Sequence, residues 1–176
     1  ETKVIHAGQK SDPTTGAVMT PIVLASTFEQ SSPGVHKGYD YSRSINPTRE
    51  AFENCIADLE NGYKGYGFSS GVAAISACVE LLSPGDHIIA MDDLYGGSVR
   101  LFNEIKSLSQ GIEISYVDMT DTNNIKNAIK ASTKMIFVET PTNPLLKIAD
   151  LSKIAKLAKK EKILTVCDNT FASPFN

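Results

Sequence analysis

Cysteine and histidine are scarce in this chain, with three of each among 176 residues. Cys55, Cys78 and Cys167 are odd in number and widely spaced in apolar periodic segments. That argues against a disulfide framework and suggests reduced core residues of a cytoplasmic protein. His6, His36 and His87 are equally scattered, and neither set has metal-ligand spacing, so no metal site is expected. No apolar run approaches the roughly 18 residues of a membrane span, and the opening ETKVIHAGQK lacks the apolar centre of a signal peptide. Positive charge is not in excess either. A net charge of −3 offers no footprint for nucleic acid or for an anionic membrane. What is present, 41% hydrophobic and 21% charged residues, is the composition of a globular chain of about one domain.

The stretch KGYGFSSGVAAISA, residues 64 to 77, organises the rest. A short strand-like run, residues 65 to 68, meets Ser69, Ser70 and Gly71 and then a small-residue helical run. A strand entering a helix this way leaves unpaired N–H groups at the helix start, where the dipole also favours an anion. Gly71 permits close backbone approach, and the two serines add hydroxyl donors. The stretch is therefore a candidate phosphate cup. It would serve equally as an ordinary βα turn capped by serine.

Residues 1 to 45 have little periodicity and much Gly, Pro, Ser and Thr. A structureless stretch that long is usually functional or wrapped on something else, so an arm embracing a partner subunit is expected, with a flexible tail as the alternative. Tyr39, Tyr41 and Arg43 stand out within it. Asn46-Pro47 opens a helix whose Phe52, Ile56 and Leu59 share a face, and Asn61-Gly62 stops it. A second helix follows the cup, with Val72, Ile75, Val79 and Leu82 on one side. HIIAM, residues 87 to 91, is a buried strand. Residues 98 to 110 form an amphipathic helix through Leu101, Phe102, Ile105 and Leu108. Strands follow at 112–117, 135–139 and 163–167, with a short helix around Ile125 and another capped by Asp150 and running to Lys160. Near-continuous apolar strands alternating with helices predict an α/β fold with a parallel sheet covered on both faces.

Ligands of such sheets lie beyond the carboxyl ends of the strands. Here those ends carry Ser69-Ser70-Gly71, Asp92-Asp93-Leu94-Tyr95, Glu139-Thr140-Pro141-Thr142-Asn143 and Asp168-Asn169-Thr170. An anion cup, an aromatic ring and a carboxylate ending an apolar strand suit a flat, phosphorylated, nitrogen-containing cofactor.

The segments GYDYSRSINPTR, FSSGVAA, MDDLYGG, ETPTNP and DNTFASP, in this order and spacing, resemble the pyridoxal-phosphate enzymes of cysteine and methionine metabolism. The resemblance spans essentially the whole chain and leans toward cystathionine γ-lyase and its γ-synthase relatives. It implies the large domain of a fold type I, PLP-dependent transferase-like protein, starting at residue 46 and preceded by the arm of residues 1–45. It implies pyridoxal 5′-phosphate as cofactor, an amino-acid substrate, and a homotetramer built as a dimer of dimers with shared active sites.

Carried over, Ser70, Gly71 and Val72 would hold the cofactor phosphate, while Tyr41 and Arg43 would reach the phosphate of the neighbouring subunit. Tyr95 would stack on the pyridine ring and is a candidate proton acceptor. Asp168 would keep the ring nitrogen protonated, with Thr170 in support. Asn143 would meet the ring hydroxyl or the substrate carboxylate, and Arg100 the distal carboxylate of a long substrate. The implied activity is cleavage of cystathionine to cysteine, 2-oxobutanoate and ammonia, with γ-replacement on an activated homoserine, or methionine γ-lysis, as alternatives. Family members bond the cofactor to a lysine in a Ser-x-Thr-Lys context beyond a DNT motif. Lys134 follows Ser-Thr but leads into a strand, so the chain is expected to be the first part of a longer protein and inactive alone.

Overall fold

Apolar strands with β-branched residues pair most favourably where both sheet faces are covered, and HIIAM and TKMIFVE are such runs. In the computed structural model, which describes residues 2–174, they form the centre of a four-stranded parallel sheet. The chain divides into two units, Glu1–Gly67 and Phe68–Asn176.

The second unit holds the sheet. Counting from the N-terminus of the whole chain, its strands are β3 (His87–Met91), β4 (Glu113–Val117), β5 (Thr133–Glu139) and β6 (Leu164–Asp168), ordered β4-β3-β5-β6. Every residue of β3 is buried, as is all of β5 except Lys134, while the outer strands β4 and β6 are only partly covered. Helix α3 (Gly71–Val79) packs Ile75 and Val79 into the core. Phe102 meets Phe137 of β5 edge to face, with ring centroids 5.1 Å apart. Such a pair adds about 0.5–1.5 kcal/mol beyond the area it buries. Helices α6 (Thr122–Ala128) and α7 (Leu151–Glu161) complete the unit, with Asp150 capping α7 through the Lys153 N–H at 3.0 Å. The lysines of α7 face water. No helix among the described residues is long and apolar enough to cross a membrane.

Several expectations need correction. The run 65–68 is not a strand: Gly67 N–H donates to Glu53 Oε1 at 2.8 Å, and Gly65 passes so close to the Glu53 carbonyl that no Cβ would fit there. This segment lies along a helix instead of joining the sheet. The helix expected at 98–110 runs as α4 (Gly96–Arg100), a π-helical turn (Leu101–Lys106) and α5 (Ser107–Gln110). The wider turn shifts the inward face, so Leu101, Phe102 and Lys106 are buried while Ile105 and Leu108 are exposed. Lys106 is met there by the Glu80 carboxylate. The cysteines are not all core residues: Cys55 and Cys78 are half-buried, but Cys167 is exposed on the outer strand β6.

The first unit contains α1 (Thr2–His6), a small hairpin of β1 (Gln30–Ser32) and β2 (Val35–His36), and α2 (Pro47–Leu59). Asn46 caps α2 by accepting from Thr48 N–H at 2.9 Å, as its sequence predicts. The start of α2 also pins the preceding chain. Asn46 Nδ2 donates to the Val23 carbonyl, Thr48 Oγ1 donates to the Pro21 carbonyl, and Arg49 reaches the Ser42 and Ser44 carbonyls. The apolar face expected on α2 is not turned into a core, since Phe52 and Ile56 remain exposed. Val18, Met19, Ile22 and Leu24 are more exposed still, Leu24 at 90%.

At the amino end of the sheet, His87 is fully buried. Its Nδ1 pairs with Thr133 Oγ1 at 2.8 Å and its Nε2 with Ser115 Oγ at 2.9 Å. Burial holds its pKa below the ordinary value, Lys130 pushes the same way, and Glu113 opposes. A folded pKa below the unfolded one means that the unfolded chain binds the extra proton. His87 therefore contributes stability above about pH 6.5, and loses it as pH falls toward the folded value. Thermal unfolding should show the midpoint dropping across that window in the native protein, and dropping less in His87→Gln. Equal slopes would remove His87 from the acid response.

Candidate active site

The carboxyl ends of β3, β5 and β6 and the start of α3 surround a cavity of about 300 Å³. Its lining includes Ser70, Gly71, Val72, Tyr95, Glu139, Asn143, Asp168 and Thr170. Strand order creates this convergence: β5 lies between β3 and β6, so the loops leaving three adjacent strands open on one side.

At α3, Ser70 accepts the Ala73 N–H at 3.2 Å, so it caps the helix and also lines the cavity. The serine cap expected of this turn is present. Gly71 and Val72 are the first two helical residues, whose N–H groups have no intrahelical acceptor. A Cβ built on Gly71 would meet nothing within 4 Å, so the space beside it is open to a ligand. Ser69 is not part of the lining.

Tyr95 precedes α4 and is half exposed. Its ring lies over Gly97, where an added methyl would overlap Cε1 and come within 3.0 Å of Cδ1. Gly97→Ala should therefore push the Tyr95 ring aside. A shift of the Tyr95 ring resonances in NMR should register the displacement, and unchanged resonances would show that the ring does not move.

Asp168 ends β6, and its Oδ1 accepts from Thr170 Oγ1 at 2.6 Å and from Thr170 N–H at 3.1 Å. Thr170 thus orients this carboxylate. Asn143 lines the cavity, and its N–H donates to Glu139 Oε1 at 2.8 Å. Arg100 is exposed at the end of α4 and does not line the cavity. Tyr41 and Arg43 belong to the first unit. There the Arg43 Nη2 donates to the Tyr41 hydroxyl at 3.0 Å, and its guanidinium lies 5.3 Å from the ring centroid.

Two buried carboxylates had smaller parts in the sequence reading. Glu139 accepts the Tyr95 N–H on Oε2 at 3.0 Å and the Asn143 N–H on Oε1. Asp93 accepts from the Thr142 hydroxyl and, at 2.9 Å, from Leu145 N–H. Together they stitch the loop after β3 to the loop after β5. The signal for Asp93 is the alternation after an apolar strand: Met91 is buried, Asp92 points out to Lys147 at 2.7 Å, and Asp93 turns in.

A helix start with unpaired N–H groups, an exposed tyrosine ring and a braced carboxylate thus meet at the strand ends of a parallel α/β sheet. The chain matches the model of the family described as "Cys/Met metabolism PLP-dependent enzyme" over residues 1–176 and belongs to that family. It is 60% identical to a cystathionine beta-lyase of Coxiella burnetii over 99% of this chain and 45% of that protein. It is 47% identical to a cystathionine gamma-lyase of Bacillus subtilis, over 99% of this chain and 46% of the relative. Among solved structures, cystathionine gamma-lyase from Lactobacillus plantarum complexed with L-serine superposes with a TM-score of 0.94 at 48% identity, over 99% of this chain and 45% of that one. The chain thus spans under half the length of these relatives.

Proposed function

We propose that the protein carrying this chain binds pyridoxal 5′-phosphate in the cavity and uses it to break a carbon–sulfur bond of cystathionine. The observation that carries this reading is the convergence of three partners on one space. The α3 N-terminus suits the phosphate, the Tyr95 ring suits the pyridine face, and Asp168 suits the ring nitrogen. The residues present fit the group, and among the described residues that line the cavity none is a lysine. Bound there, the cofactor supplies an electron-withdrawing ring that stabilises negative charge at the substrate α-carbon.

This chain's residues bind and orient. Ser70, Gly71 and Val72 hold the phosphate; Asp168, fixed by Thr170, holds a proton on the ring nitrogen; Tyr95 stacks and accepts a proton; Asn143 meets the ring hydroxyl or the substrate carboxylate. Tyr41 and Arg43 would reach the phosphate of a neighbouring subunit in a dimer of dimers. The exposed apolar side chains of Val18, Met19, Ile22 and Leu24 support an arm that another surface covers.

The bond broken lies on the γ side in our reading, giving cysteine, 2-oxobutanoate and ammonia. The relative named cystathionine beta-lyase at 60% identity favours a second reading, cleavage on the β side to homocysteine, pyruvate and ammonia. Incubating the cofactor-loaded protein with cystathionine and identifying the keto acid decides between them. No keto acid of either kind would overturn the proposal.

A further inference from the structure

Resting on the proposed binding of pyridoxal phosphate, we propose that Glu139 is a positioning residue of the cavity. Its two oxygens clamp the backbones of Tyr95 and Asn143, and its charge helps Asp168 hold the positive charge of the protonated ring.

Glu139 is only 4% exposed, yet each of its carboxylate oxygens accepts one N–H, from Tyr95 at 3.0 Å and from Asn143 at 2.8 Å. A single short stem with two acceptor oxygens is something only a carboxylate provides; an amide would turn a donor toward one of these N–H groups. Its placement also gathers negative charge. Glu139 and Asp168 are register partners at the ends of β5 and β6, and Thr140 N–H donates to the Asp168 carbonyl at 3.1 Å, closing that corner. Asp93 is the third carboxylate nearby and is buried too.

Among the described residues, no lysine or arginine forms an ion pair with Glu139, Asp168 or Asp93; Lys147 is engaged by Asp92 and Asp118. Carboxylates buried without a cation partner, as Glu139 and Asp93 are, are costly, and a bound cation relieves them. Burial pushes the Glu139 carboxyl upward, its two N–H partners pull it back, and Asp168 and Asp93 push it up again. A positively charged ring held at Asp168 supplies the missing counter-charge. By reciprocity, Glu139 raises the affinity of that ring for its proton.

The test separates charge from reach, using the intact protein loaded with pyridoxal phosphate. Glu139→Gln removes the charge at nearly constant size. The pH midpoint of the visible absorbance change of the bound cofactor is expected to fall by about one unit. Glu139→Asp keeps the charge but cannot span both N–H groups. Its midpoint should stay near that of the native protein, while the dissociation constant rises about ten-fold, the effect of losing a charge-assisted hydrogen bond, and the circular dichroism of the bound cofactor weakens. A residue that merely tied loops together would leave the Gln midpoint in place, and that result with cofactor bound overturns this inference alone. A native protein that takes up no pyridoxal phosphate overturns it together with the proposed function. If Glu139→Gln does not fold, Glu139→Asp decides: unchanged affinity and dichroism refute the clamp.

Discussion

Asp168→Ala is expected to lower turnover of the cofactor-loaded protein by about a hundred- to a thousand-fold, the scale seen when a pre-aimed electrostatic partner is removed from an active site. Cofactor should remain bound, because the α3 N-terminus and the Tyr95 ring do not depend on this side chain. The loss would fall on chemistry: with no carboxylate to hold the ring-nitrogen proton, the ring withdraws electrons poorly. The geometry makes Asp168 irreplaceable by its neighbours. Glu139 spends both oxygens on backbone N–H groups, and Asp93 is committed to Thr142 and Leu145. Thr170→Val should cost far less, since its backbone N–H still donates to Asp168 Oδ1. Stopped-flow or steady-state rates with matched cofactor content check both, and near-native turnover in Asp168→Ala would falsify the assignment.

The second large effect concerns shared sites. Single variants Arg43→Ala and Tyr95→Phe should each be strongly impaired, and mixing them should restore activity. In a mixed dimer, one of the two sites would hold every intact group if the arm serves the neighbouring subunit. Arg43 is suited to this part, being a permanently charged fork that matches a phosphate, with its orientation steadied by Tyr41. Subunit exchange must be shown independently, for example by mass spectrometry of differently tagged chains. Exchanged but inactive mixtures would mean that the arm serves its own subunit.

Much of the site was legible because a parallel sheet places its strand ends together, whatever the intervening helices do. Residues 95, 143, 168 and 170 could be grouped from the strand pattern alone, and all line the cavity; Gly71 lines it too, although the run before it is not a strand. What stayed hidden depends on partners without a sequence signature. Glu139 and Asp93 act on backbone N–H groups tens of residues away, and every residue but proline carries such a group. The misplaced face of Ile105 and Leu108 has a different cause, since the π-helical turn changes the winding on which the 3.6-residue count relies. Gly65–Phe68 has a strand-like composition, but Gly65 and Gly67 allow it to lie against α2, and sequence periodicity does not record that contact.

The strand order β4-β3-β5-β6 also has a consequence for how the sheet can be assembled during synthesis. Taken as they leave the ribosome, β4 joins β3, β5 joins the other edge of β3, and β6 joins β5. Each newcomer finds an open edge, and none of these four described strands has to be threaded between two already paired. Growth from the middle outward lets a nascent chain build the sheet vectorially, each addition waiting only for the crossover that precedes it. The burden falls on the founder. HIIAM emerges first and ends up the most deeply enclosed, so it is the segment that most needs shelter until its two flanks arrive.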